Sequence, residues 1–127
     1  TGRRICLIDD DAAARAALER VFAAEGYEVS AYVGGQAGLA AALEQDFDCV
    51  LTDLRMPGLN GIALHDALRR DRPALAARTV FMTGDVVGSA LGAATSSGQP
   101  VLVKPFGLER LEDALVAVLR PSPAPTG

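Results

Sequence analysis

The sequence predicts an α/β fold, a parallel sheet with helices packed on both faces. Two observations predict it. Five short apolar runs alternate strictly with five longer segments of helical period. The short runs are bounded by acids, glycines and prolines, as strands buried on both faces and ended by turns are.

RICLI (4–8) reads as the first strand. DAAARAALERVFAAEG (11–26) reads as a helix, with Asp11 able to cap its first turn, Leu18, Val21 and Phe22 on its apolar face, and Gly26 closing it. YEVSAY (27–32) alternates like a strand, and GGQAGLAAALEQ (34–45) returns to helix. DCVLT (48–52) is the third strand, followed by a helix over GIALHDALRRD (61–71) with Ile62, Leu64 and Leu68 as its buried positions. RTVFMT (78–83) is the fourth strand. DVVGSALGAATSS (85–97) is a weaker helix, because Gly88 and Gly92 each cost roughly 1 kcal/mol relative to Ala. VLV (101–103) is the fifth strand. LERLEDALVAVLR (108–120) is strongly amphipathic, with Leu108, Leu111, Leu115, Val118 and Leu119 on one side. PSPAPTG (121–127) has three prolines in seven residues and reads as a linker or tail.

The chain has 127 residues, enough for one core and too few for two. A net charge of −4 argues against nucleic-acid binding by this piece, which wants a basic face. No apolar run is long enough to span a membrane, and no segment reads as a secretory signal. Cys6 and Cys49 sit in apolar runs and read as reduced core residues, which points to a cytoplasmic setting. The chain opens on Thr1, so a module cut from a longer protein is expected.

The chemistry collects at the carboxyl ends of the strands. Asp9 and Asp10 follow the first strand and Asp53 the third, Thr83 and Gly84 stand at the end of the fourth, and Lys104 with Pro105 follows the fifth. In an open parallel sheet these ends share one edge, where ligands bind. Any one of these acids alone reads equally well as a helix cap. Together they make three mutually repelling carboxylates with one ammonium. Mg²⁺ suits such a site because it takes oxygen ligands and accepts phosphate oxygens. No His or Cys falls at these ends to suggest zinc or copper. The break at Pro57, Gly58 and Gly61 keeps the next helix from covering Asp53.

Four stretches, LIDDD (7–11), LTDLRMPGLNG (51–61), VFMTGD (80–85) and VLVKPF (101–106), resemble the receiver domain of bacterial two-component response regulators. The resemblance covers about residues 4–120, with 1–120 as the receiver domain. It implies a doubly wound, flavodoxin-like receiver fold of strand order 2-1-3-4-5 with five helices. It implies that Asp53 is the phosphoacceptor, taking a phosphoryl group from the phosphohistidine of a histidine kinase or histidine phosphotransfer domain. Asp10 is implied as a direct Mg²⁺ ligand, Asp9 as a ligand through water, and the Arg55 backbone carbonyl as the third protein ligand. Thr83 matches the hydroxyl that meets the phosphoryl oxygen, Gly84 offers an amide, and Lys104 matches the lysine that pairs with the phosphoryl group. The Lys104–Pro105 bond is similar to one that is cis in the family. Arg55 and Asp85 occupy positions expected to tune phosphoryl lifetime, with two readings open for Arg55: it stays near the site and shields the phosphoryl group, or it points to solvent.

An isolated receiver is no enzyme in the ordinary sense; it self-catalyses gain and loss of its own phosphoryl group. The signal is expected to leave through the face made by the fourth helix, fifth strand and fifth helix, with a weak homodimer as one outcome. Four features depart from the family. Val101 replaces the usual aromatic at the switch position, the fourth helix is glycine-rich, the SSGQP turn (96–100) replaces an Ala-Gly-Ala-Asp type of segment, and the 21 residues from Thr83 to Lys104 are about one fewer than usual. These features resemble receivers carried by hybrid sensor histidine kinases.

Three other readings compete. A degenerate receiver serving only as an interaction module has no need of Asp9, Asp10, Asp53, Thr83 and Lys104 together. A phosphate-ester hydrolase wants an acid two residues after its nucleophile, where this chain has Arg55. A flavodoxin-like cofactor binder wants a Ser/Thr/Gly-rich loop after the first strand, where DDDAAAR would repel phosphate. His65, the one histidine, reads as a surface residue without a role.

Overall fold

A computed structural model of the chain describes residues 3–84 and 89–119. Five strands form one parallel sheet in the order β2-β1-β3-β4-β5. They are β1 (Arg4–Ile8), β2 (Glu28–Tyr32), β3 (Cys49–Asp53), β4 (Thr79–Thr83) and β5 (Val101–Val103). The helices are α1 (Ala12–Ala24), α2 (Gly35–Glu44), α3 (Gly61–Asp71), α4 (Pro73–Ala76), α5 (Ser89–Ser96) and α6 (Leu108–Leu119). None is long and apolar enough to cross a membrane.

Alternation along the strands divides the core. Ile5, Leu7, Cys49, Leu51, Val80, Met82 and Leu102 pack with Leu18 and Phe22 of α1 and Leu111, Leu115 and Val118 of α6. Cys6, Ile8 and Val50 point the other way, onto α2, α3 and α4. Phe81 joins Leu54 and Ala94 of α5 in a smaller cluster on that side. Burying each of the larger side chains contributes about 1.5–3 kcal/mol, so both layers are needed to hold the sheet. Both cysteines are buried and unpaired, and burial pushes each thiol up to about 12, which makes them packing residues.

Three points differ from the sequence reading. A one-turn helix, α4, occupies a stretch left unassigned; Pro73 at its start supplies a fixed φ, and four residues are too few to show a period. Leu108 is 46% exposed, because it opens α6 before that helix settles on the sheet, whereas Leu111 is 2% exposed. His65 is buried rather than on the surface, its Nε2 3.1 Å from the Ala76 carbonyl and its ring edge-on to Phe81. It lies between Leu64 and Leu68 on the inner stripe of α3, and α4 supplies the polar partner that lets it stay there. The expected linker at 121–127 lies outside the described residues.

Candidate functional site

The chain runs from β1 to β2 on one side of the sheet, then crosses over to β3 on the other. The reversal leaves a crevice between the carboxyl ends of β1 and β3, the place where doubly wound sheets hold ligands. Asp9 and Asp10 follow β1, and Asp53 is the last residue of β3. One carboxylate oxygen from each of the three lies within 4.8 Å of the others. Asp9 is fully buried, Asp53 nearly so, and Asp10 is exposed.

Lys104, just past β5, spans the crevice. Its Nζ donates to Asp9 Oδ2 at 2.9 Å and to Asp53 Oδ2 at 3.0 Å. The remaining oxygens meet backbone. Asp9 Oδ1 accepts from the Asp11 N–H at 2.9 Å, and Asp53 Oδ1 lies 3.4 Å from the Arg55 N–H. Burial raises the Asp53 pKa above its ordinary 3.8, and the Asp9 carboxylate pushes the same way against the opposing Lys104 ammonium. Partial burial works against the charge of Lys104, but its two carboxylate partners outweigh that and hold its pKa above 10.5. One ammonium cannot neutralise three carboxylates. An all-oxygen donor set with an excess of negative charge fits a hard divalent cation.

The break after Asp53 has a local cause. Gly58 adopts a φ of +81°, open to glycine at little cost. Asn60 caps α3, its Oδ1 accepting from the Ala63 N–H at 2.9 Å. A Cβ on Gly61 would lie 2.5 Å from the Asp53 carbonyl oxygen, so only glycine lets α3 begin directly behind the acid. The helix starts against the backbone of Asp53 and leaves its carboxylate facing the crevice.

Thr83 is buried at the end of β4, and Gly84 follows it, exposed. Arg55 is exposed at the start of the β3–α3 loop. Val101 is half-buried and pairs in register with Phe81. The Lys104–Pro105 peptide is cis. Asp85 lies outside the described residues. Asp11, by contrast, caps α1, its Oδ1 accepting from the Ala13 and Ala14 N–H groups. Sequence reasoning passed over Arg15, whose Nη1 donates to the Asp9 carbonyl oxygen at 2.7 Å. The signal that could have found it is a cation one turn into a helix that follows an acid pair.

The family model described as "Response regulator receiver domain" matches residues 5–116. Over 124 residues, 92% of this chain, the sequence is 36% identical to the transcriptional activator protein PfeR of Pseudomonas aeruginosa, covering 38% of that protein. It is 33% identical over 115 residues, 88% of this chain, to the sensory/regulatory protein RpfC of Xanthomonas campestris, covering 16% of that protein. The chain thus spans well under two thirds of the length of these curated relatives. The fold is similar to the receiver domain of the sensor histidine kinase PA1611 from Pseudomonas aeruginosa, a structure with a magnesium ion coordinated in its active-site cleft. That likeness has a TM-score of 0.82 at 23% identity and covers 94% of this chain and 98% of that one. A family match across nearly all the described residues, on this sheet order, makes the chain a member of the response regulator receiver domain family.

Proposed function

We propose that this chain is a phosphoacceptor switch of a two-component phosphorelay, with Asp53 as the acceptor. The observation that carries this reading is the Lys104 ammonium, held between Asp9 and Asp53 at the one strand edge where a phosphoryl group would be received. A carboxylate oxygen of Asp53 attacks the phosphorus of a phosphohistidine on a histidine kinase or histidine phosphotransfer domain. The P–O bond forms as the P–N bond breaks, and the imidazole leaves with the electron pair. Lys104 pairs with the transferred group, while the Thr83 hydroxyl and the Gly84 amide donate hydrogen bonds to its oxygens.

Mg²⁺ would be held by Asp10 and Asp53, by Asp9 through water and by the Arg55 carbonyl, and when bound would offset carboxylate repulsion and phosphoryl charge. The acid cluster supports this, as does the magnesium reported in the PA1611 receiver. Residues 1–120 form the receiver unit in this proposal, with 121–127 a Pro-rich linker or tail, in a cytoplasmic setting. Val101 and the glycine-rich 85–97 sequence favour a hybrid sensor histidine kinase as the parent protein. Arg55 and Asp85 set phosphoryl lifetime, and the new charge biases the α5–β5–α6 face between two states.

Incubation with acetyl phosphate, with and without Mg²⁺, followed by intact-mass measurement, tests the reading. One phosphoryl group gained only with Mg²⁺, and absent from Asp53→Asn, supports it. No adduct, together with no trifluoroberyllate complex, would leave the interaction-module reading in its place.

A further inference from the structure

Arg15 is the fourth residue of α1. Helical side chains lean toward the helix N-terminus, so Arg15 lies back over the β1–α1 turn. The position runs against the helix dipole, which favours acids in this region, and the first turn of α1 carries none. Helix stability therefore gives no reason for an arginine here. Its contact does: Nη1 donates a short, charge-assisted hydrogen bond of 2.7 Å to the carbonyl oxygen of Asp9.

That carbonyl belongs to the Asp9–Asp10 peptide, a rigid plane. Every other polar group of Asp9 is also held. Its N–H donates to Tyr32 O at 3.1 Å, its Oδ1 accepts from Asp11 N–H, and its Oδ2 accepts from Lys104. Asp10 differs: it is exposed, and its side chain makes no hydrogen bond among the described residues. The direction in which Asp10 points is then set by the peptide plane that precedes it. We infer that Arg15 is a positioning residue, locking the Asp9–Asp10 peptide so that Asp10 is aimed at the divalent cation. This rests on the proposed Mg²⁺-dependent function.

The inference predicts a sign opposite to the obvious electrostatic one. A cation beside the acid cluster repels a metal ion, so a role through charge alone means that removing Arg15 tightens Mg²⁺ binding. A positioning role means that removing it weakens binding, by about tenfold on the scale of outer-shell partners of metal ligands.

The experiment is a Mg²⁺ titration followed by calorimetry and by the backbone amide shift of Asp10. It compares wild type, Arg15→Met, Arg15→Lys and, as a control, Asp10→Asn. The expected result is weaker binding in Arg15→Met, partial recovery in Arg15→Lys, and a metal-free Asp10 amide shift already displaced in Arg15→Met. Equal or tighter binding in Arg15→Met overturns the inference. Should that variant not fold, Arg15→Lys decides alone: a smaller loss supports positioning, and wild-type affinity overturns it. A wild type that binds no Mg²⁺ removes the proposed function and this inference together. Wild-type binding that depends on Asp10 but not on Arg15 removes the inference alone.

Discussion

At the carboxyl edge of the sheet, charged side chains face one another; at the amino edge they face mainly backbone. Three arginines converge on the turn before β3. Arg72 donates to Ala42 O at 2.8 Å and Gln45 O at 2.7 Å, Arg78 to Asp48 O at 2.6 Å, and Arg4 to Asp46 O at 3.0 Å. The Asp48 carboxylate accepts from the backbone N–H of Arg4, and the Arg4 guanidinium also stacks over Phe47. Most of these bonds end on neutral carbonyl dipoles, and the nearby carboxylates have partners too, Asp46 pairing with Arg72 at 3.3 Å and Glu28 with Arg4 at 4.0 Å, so little unanswered charge is left to bind. At the other edge Lys104 holds two carboxylates while a third stands exposed beside them. Both edges are rich in hydrogen bonds. The difference is that one edge satisfies its charge internally and the other keeps an excess that an incoming ion can answer.

The sharpest way to break this comparison is Lys104→Met. It strands the fully buried Asp9 beside Asp53, and the metal-free protein should lose about 3 kcal/mol in urea denaturation. Saturating Mg²⁺ should restore much of that loss, because a divalent ion supplies the missing charge. Arg72→Ala should cost about 2 kcal/mol through its lost carbonyl partners, with no recovery by Mg²⁺ and no change in phosphoryl uptake. Equal metal rescue of both variants would break the distinction between the edges.

A smaller effect of opposite sign is expected at Asp53. A buried carboxyl whose folded pKa is raised contributes stability that is present below 3.8 and lost as pH rises through the folded value. At neutral pH it is a net cost, so Asp53→Asn should raise the melting temperature of the metal-free protein by a few degrees, and lower it relative to wild type in excess Mg²⁺. Calorimetry in EDTA and in Mg²⁺ reads both signs.

The smallest effect belongs to His65. Burial lowers its pKa below 6.5, so the unfolded chain takes up a proton that the folded one resists. Stability should decline as pH falls below 6.5 toward the lower folded value. His65→Gln should flatten the stability–pH curve in that window, and an unchanged slope would show that another group sets it.

What the sequence could show follows from the range of each signal. Asp9, Asp10, Asp53 and Lys104 were legible because strand ends in a parallel sheet must meet, whatever lies between them. The strands were legible from apolar runs alone, although Asp53 closes β3 from within rather than following it. The arginine clamp was not, because its partners are carbonyl oxygens from 27 to 42 positions away, and every residue carries a carbonyl. His65 was misplaced because a polar residue on an inner stripe is tolerated only when a partner arrives from elsewhere, here the short helix α4. Arg15 was missed because its partner is a main-chain carbonyl, which no residue type marks, although its place one turn into the helix after the acid pair was a usable signal.

Lys104 stands 95 positions from Asp9 and 51 from Asp53. It follows a three-residue strand that pairs only with β4, at the border of the sheet. The acids are assembled by the central strands, but their counter-charge arrives with the last and shortest one. Loosening that border would release the ammonium while the rest of the sheet stays paired, so the pocket would lose its grip through local opening rather than global unfolding. Amide hydrogen exchange at Leu102 and Val103 would then report the competence of a site built mainly from residues far earlier in the chain.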